Sequence, residues 1–266
     1  GDEATLGLPL AERTIADHLR ASGYATGLIG KWHQGFNAAH HPQSRGFDDY
    51  FGFLVGAHNF ALRREAAPKF GTANSQNLIY RGRQVQPLDG FATTVFTDEA
   101  IAFTERHSAQ PWFLYLAYNA PHTPLQAARE DYDALADIAD HRLRVYAAMI
   151  RSLDRGIGRV METLRAQGLD QDTLVIFTND NGGEWLSNNA PLFHRKDTLW
   201  EGGIRVPAIF WWPSVLPAGR TANTPGITMD LTATVLTAAR TLVPANFEGR
   251  DLVPMLAGRT TAATLA

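Results

Sequence analysis

The chain has 266 residues and is 45% hydrophobic, 10% aromatic and 19% charged, the profile of a globular protein that can bury a large core. Lys and Arg total 24 against 27 for Asp and Glu, a net charge of −3, so no basic field exists to hold nucleic acid or an anionic membrane surface. Cysteine is absent, which removes disulfides, thiolate zinc sites and a thiol nucleophile from this chain; the longest apolar runs, Pro111–Tyr118 and Ala208–Trp212, are far shorter than the ~20 residues of a membrane-spanning helix.

In chain order, one unit recurs: an amphipathic helix, a short apolar strand, then a polar loop. Residues 11–22 place Ile15 and Leu19 on one helical face, and Gly23 stands where a glycine ends a helix. Tyr24–Ile29 reads as a buried strand running into Gly30-Lys31-Trp32-His33. Residues 58–92 break the pattern with an irregular excursion that ends in a hairpin over Tyr80–Val85. A helix over Thr97–His107 precedes the strand Trp112–Tyr118, whose loop is Asn119-Ala120-Pro121-His122-Thr123-Pro124. Leu143, Tyr146, Ile150, Leu153, Ile157, Val160 and Leu164 recur at spacings of three and four, which predicts a long helix closed by Gly168. Strand Thr173–Thr178 then leads into Asn179-Asp180-Asn181-Gly182-Gly183-Glu184. Trp200-Glu201-Gly202-Gly203-Ile204-Arg205 precedes a strand over Val206–Trp212, and a last helix covers Met229–Leu242.

Helices alternating with near-continuous apolar strands predict an α/β fold, a mostly parallel central sheet with helices on both faces. Ligands of such sheets bind beyond the carboxyl ends of the strands, where the loops carrying Lys31 and His33, His122, and Asp180 and Asn181 all emerge.

Taken singly, these residues have ordinary readings: Asn179–Gly183 is a turn sequence, His33 a hydrogen-bonded structural histidine, His122 part of a stiff loop, and Lys31 and Lys196 solvated charges. Gathered at one edge, two lysines, two histidines and a carboxylate–amide pair suited to a hard cation make a pocket for a tetrahedral oxyanion. His-Glu-x-x-His, Gly-x-Gly-x-x-Gly, Gly-Lys-Ser/Thr and Gly-x-Ser-x-Gly are all missing, which argues against zinc-peptidase, dinucleotide, P-loop and serine-hydrolase chemistry.

Together, these residues resemble the sulfatases of the alkaline-phosphatase-like superfamily. The resemblance is carried by Gly23–His33, Arg45-Gly46-Phe47-Asp48-Asp49-Tyr50-Phe51-Gly52, Asn119–Pro124, Phe177–Gly183 and Trp200–Pro207, in this order and over nearly the whole chain. It implies hydrolysis of a sulfate monoester, small-molecule or glycan, by a formylglycine nucleophile with one calcium ion. By motif match, Asp180 and Asn181 would be metal ligands, Lys31 and Lys196 would hold sulfate oxygens, His33 would stand by the formylglycine and His122 by the bridging oxygen. Arg45 and Asp48 are read as structural.

The family's Cys/Ser-x-Pro-x-Arg motif and its amino-terminal Asp pair are not in this chain. We therefore expect residues 1–266 to be a single catalytic core cut at both ends, inactive by itself, with those features upstream in the parent. Relatives carry Arg-Gly-Gly where this chain has Phe193-His194-Arg195, which leaves open whether Arg195 or His194 takes the place of Lys196. A phosphodiesterase or phosphonate monoester hydrolase of the same superfamily and a non-catalytic sulfatase-like binding protein are the rival readings. The resemblance also implies an exported protein. Specificity is expected in residues 58–92 and 183–195, where Trp185, Phe193 and His194 are placed to meet a ring.

Overall fold

The computed structural model describes residues 7–61 and 78–259. The expectations placed on both chain ends and on the middle of the 58–92 excursion lie outside the described residues. The chain divides into two compact units, Gly1–Gln167 with Ala239–Pro244, and Gly168–Ala238 with Ala245–Ala266.

The first unit opens with α1 (Ile15–Ala21), whose start is fixed by a reciprocal capping box: Thr14 Oγ1 accepts from the Asp17 amide and the Asp17 carboxylate accepts from the Thr14 amide. Strands β1 (Ala25–Lys31), β2 (Asp49–Phe53), β3 (Ile79–Arg81), β4 (Gln84–Gln86) and β5 (Trp112–Ala117) form a sheet in the order β4-β3-β2-β1-β5. β2-β1-β5 is the parallel part, and β3 and β4 are the expected hairpin, antiparallel at the edge and turned through Gly82 at φ +57°.

Alternation along β1 and β2 assigns the two faces. Leu28 and Tyr50 join Ala16 of α1, Trp32, Phe47 and Leu54 on one side; Ile29, Phe51 and Phe53 join Phe96, Ala100 and Phe103 on the other. The second group of aromatics comes from α2 (Ala92–His107), which starts five residues before the predicted position. Apolar burial on both faces is what makes these strands read as continuous hydrophobic runs.

The short helix α3 (Arg129–Asp133) and the long α4 (His141–Ala166) complete the unit, α4 ending just before Gly168 at φ +68°. The apolar row of α4 is buried only in part, at Leu164. Leu143 and Ile150 are exposed, and the buried positions are Ala148, Met149, Ser152, Gly156 and Leu164. The reason is close approach to α2: a Cβ at Gly156 would lie 2.5 Å from Thr97 Oγ1, so the small residues set the contact face.

The second unit holds β6 (Val175–Thr178), the short α5 (Glu201–Ile204), β7 (Ala208–Trp211), α6 (Thr228–Ala238) and α7 (Val253–Leu256). β6 and β7 pair antiparallel, with Val175 opposite Trp211 and Thr178 opposite Ala208, so these two strands are not parallel members of the five-stranded sheet as their helix–strand rhythm suggested. Arg240 takes φ +55°, which stops the last helix short of the predicted Leu242.

Candidate active site

In the first unit, the carboxyl end of β1 is shaped by Gly30. Its φ of +106° is a backbone state that side chains rarely allow, and a Cβ there would sit 2.7 Å from the carbonyl carbon of Ala117 on β5. Trp32 anchors the loop leaving the strand: it is buried, stands edge-on to Phe47 at 5.9 Å, and donates from Nε1 to the His40 carbonyl at 2.8 Å. On either side of that anchor, Lys31 is half-buried and His33 exposed. The backbone of His33 sits at φ +52°, with its amide donating to the Leu54 carbonyl at 3.2 Å. Gly56 leaves the space its imidazole fills, since a Cβ there would approach His33 Cε1 to 2.6 Å. A non-glycine residue held in the left-handed region is the kind of outlier that clusters at functional sites.

β5 runs parallel to β1 with Gly30 opposite Ala117, so Lys31 and His33 and the loop bearing His122 leave the same edge from neighbouring strands. The His122 amide donates to the Asn119 carbonyl at 2.8 Å, and its Nδ1 lies 2.7 Å from the Thr123 carbonyl. A carbonyl only accepts, so Nδ1 carries the proton of that bond and Nε2 is the nitrogen left for chemistry.

Beneath this loop, Asn119 is buried and donates from Nδ2 to the carbonyl of His58, a fully buried histidine whose pKa is lowered by loss of solvent. Gln126 accepts from the amides of Phe60 and Ala61 at 2.7 and 3.1 Å, which sews the start of the 58–92 excursion to the segment following His122. Burial pushes the Tyr118 hydroxyl up to about 12, and it shares a 2.7 Å hydrogen bond with Thr97 on α2. Arg45 and Asp48 are structural, as expected: Arg45 is buried and donates to the carbonyls of Leu8, Pro9 and Glu12, and Asp48 accepts from the Thr26 amide and hydroxyl.

In the second unit, Asp180 and Asn181 follow β6 directly, Asp180 exposed and Asn181 half-buried. Asn181 donates from Nδ2 to the Gly182 carbonyl at 2.9 Å, which leaves its Oδ1 as an acceptor. A carboxylate and an amide oxygen are hard donors that suit calcium in kind, supplying two or three of the ~6–8 oxygens such an ion takes. Among the described residues, no three His, Cys, Asp or Glu side chains gather into a metal-binding group, so a cation held by this pair would need further oxygen ligands.

Lys196 is tied to this loop through its main chain, its amide donating to the Gly183 carbonyl at 3.0 Å. Asn189 does more: its Nδ2 donates to the carbonyls of Gly183 and His194, and its Oδ1 accepts from the Gly183 amide at 3.2 Å. Gly202 adds a bond to the Phe193 carbonyl at 2.8 Å and Gly182 one to the Gly203 carbonyl at 2.9 Å. His194 and Asp197 on either side of Lys196 both hold positive φ, +69° and +67°. The Arg195 guanidinium is engaged by an ion pair to Glu184 and lies 3.5 Å over the ring of Trp185.

The structure thus brings Lys31, His33 and His122 together on adjacent strand ends of the first unit, and Asp180, Asn181 and Lys196 on one bonded loop system of the second. Sequence reasoning missed Asn189, Gln126 and Gly56, which act on the main chain of the candidate loops or leave space for His33.

A model of the sulfatase family matches residues 4–241. The chain is 32% identical to N-acetylgalactosamine-6-sulfatase of Canis lupus familiaris over 96% of its own length and 51% of that protein, and 30% identical to human arylsulfatase D over 95% of its length and 54% of that protein. It spans about half the length of these curated relatives. Among solved structures it resembles Ps i-CgsB in complex with k-i-k-neocarrahexaose, with a TM-score of 0.88 and 36% identity over 94% of this chain and 58% of that one.

Proposed function

The chain belongs to the sulfatase family, and on that premise we propose that its parent hydrolyses a sulfate monoester, with residues 1–266 forming one catalytic core that contributes most of the pocket. The lysine ammonium groups of Lys31 and Lys196 hold the non-bridging sulfate oxygens as point charges. When the sulfur–oxygen bond breaks, negative charge develops on the bridging oxygen. His122, its Nδ1 proton committed to the Thr123 carbonyl, delivers the Nε2 proton of its imidazolium to that oxygen, so the alcohol leaves neutral. His33 stands by the nucleophile and orients it.

Asp180 and Asn181 would hold part of a calcium shell, and that cation would supply positive charge at the sulfate. The nucleophile expected from the family would be a formylglycine, whose Cys/Ser-x-Pro-x-Arg motif does not occur in residues 1–266. The substrate class is a sulfated small molecule or glycan.

Support for the reading comes from the emergence of Lys31, His33 and His122 at the carboxyl edge of the paired strands β1 and β5, in a chain whose family match runs from residue 4 to residue 241. The test is sulfate release from 4-nitrophenyl sulfate and from sulfated oligosaccharides by the parent protein and by residues 1–266. The parent is expected to release sulfate and the shorter chain to stay at blank. Phosphonate or phosphodiester turnover exceeding sulfate turnover would overturn the reading.

A further inference from the structure

The loop around Lys196 carries an aromatic surface that the proposed reaction does not use. Trp185 is 77% exposed, Phe193 64% and Trp200 59%. Phe193 stands edge-on to Trp200 at 5.3 Å and to His194 at 5.4 Å. The Arg195 guanidinium covers one face of Trp185 at 3.5 Å and is itself held by Glu184, which fixes the indole with its other face open.

This display is built on a stiff frame. The three bonds of Asn189, the Gly202–Phe193 and Lys196–Gly183 main-chain bonds and the glycines at 182, 183, 202 and 203 lock the segment to the loop of Asp180 and Asn181. A rigid segment that nonetheless leaves three large rings in water has the character of a ligand surface.

We propose that Trp185, Phe193 and Trp200 form a stacking platform for sugar rings flanking the sulfated one, so that the substrate is an extended anionic oligosaccharide. The inference rests on the sulfatase reading and deepens it. Small-ligand sites are concave and enclose most of the ligand. These rings are open instead, and they offer more aromatic area than one phenol would cover. A polysaccharide presents successive C–H faces that pack on such rings. Trp185 and Phe193 are specificity-determining residues, and Arg195 positions the indole.

The test compares the parent protein with Trp185→Ala and Phe193→Ala on two probes, a sulfated galactan hexasaccharide and 4-nitrophenyl sulfate, with binding of the hexasaccharide to residues 1–266 followed separately by calorimetry. Each variant is expected to raise KM and Kd for the hexasaccharide about tenfold, the scale of one lost stacking contact, and to raise KM for 4-nitrophenyl sulfate by less than that. Both side chains are exposed, so circular dichroism should be unaltered. Unchanged hexasaccharide binding, or an equal loss on both probes, would overturn the proposal. Trp185 shielded from iodide quenching in the parent without ligand would also overturn it, because another part of the parent would then cover the platform. If the parent releases no sulfate from either probe while Trp185-dependent binding persists, the hydrolase reading fails and the glycan platform stands.

Discussion

Gly30→Ala separates the two constraints that shape the end of β1. The alanine must adopt φ +106°, which costs an L-residue about 1–2 kcal/mol. Its Cβ must also lie 2.7 Å from the Ala117 carbonyl carbon and even closer to the oxygen. Both atoms are backbone of the neighbouring strand, so relief requires β1 and β5 to part, a strain of about 1–3 kcal/mol. The sum is about 3 kcal/mol or more, a large share of the ~5–15 kcal/mol that holds a domain folded. Gly23→Ala is the matched control, because Gly23 has φ +87° and nothing within 4 Å of its added Cβ. It should cost only the conformational ~1–2 kcal/mol. Urea unfolding followed by tryptophan fluorescence measures both variants, and Gly30→Ala is expected to lose about twice as much stability as Gly23→Ala or more. Equal losses would refute the claim that the contact with β5 shapes the turn into Lys31.

Three further expectations rest on named contacts. Gly158 in α4 is exposed with open space around it, so Gly158→Ala should stabilise by about 0.5–1 kcal/mol, whereas Gly156→Ala should destabilise because its Cβ would lie 2.5 Å from Thr97 Oγ1; chemical unfolding of the pair gives opposite signs or the α2–α4 packing is misassigned. His41 is buried, and loss of solvent lowers its pKa from 6.5 to about 4. The unfolded chain therefore binds the proton first as pH falls from 6.5 toward 4, so His41 removes up to about 3 kcal/mol of stability across that window and nothing further below it; His41→Gln should flatten this part of the stability–pH curve, and an unchanged slope would refute the assignment. In the parent, His122→Ala should lower kcat on poor leaving groups by about 10²-fold or more and less on 4-nitrophenolate, since only a basic alkoxide needs the Nε2 proton; an equal loss on both would count against its role as acid.

Much of the frame was legible because its physics is local. The pair Ile15 and Leu19, the apolar runs of β1 and β5, and the glycines at 23, 82 and 168 each declare an element within a few residues; the capping box of Thr14 and Asp17 was not read. The two-faced burial of β1 followed from the same runs, whereas β2 (Asp49–Phe53) was not read as a strand. Partner choice was not legible: the helix–strand rhythm around Thr173–Trp212 reads as parallel units, yet β6 and β7 pair antiparallel, and nothing within a strand of four residues specifies its neighbour. The contact face of α4 was not legible for a related reason. Hydrophobic periodicity points to Leu143 and Ile150, whereas Gly156 and Ser152 decide the contact by being small enough to admit α2. At the site, Lys31, His33, His122, Asp180, Asn181 and Lys196 were named by motif match to the sulfatases, since each taken singly has an ordinary reading. Asn189 and Gln126 act through side-chain bonds to main chain reached only after folding, and Ser187-Asn188-Asn189-Ala190 looks like any polar turn.

The central claim is that these residues serve the cleavage of a sulfate ester. The direct measurement is the ratio of kcat/KM for 4-nitrophenyl sulfate to that for 4-nitrophenyl phosphate in the parent protein, with Lys196→Ala alongside. Sulfate is expected to be the preferred ester, with a loss of at least about tenfold in the variant, the scale of one charge-assisted contact. A preference for phosphate, or sulfate turnover indifferent to Lys196, would contradict it.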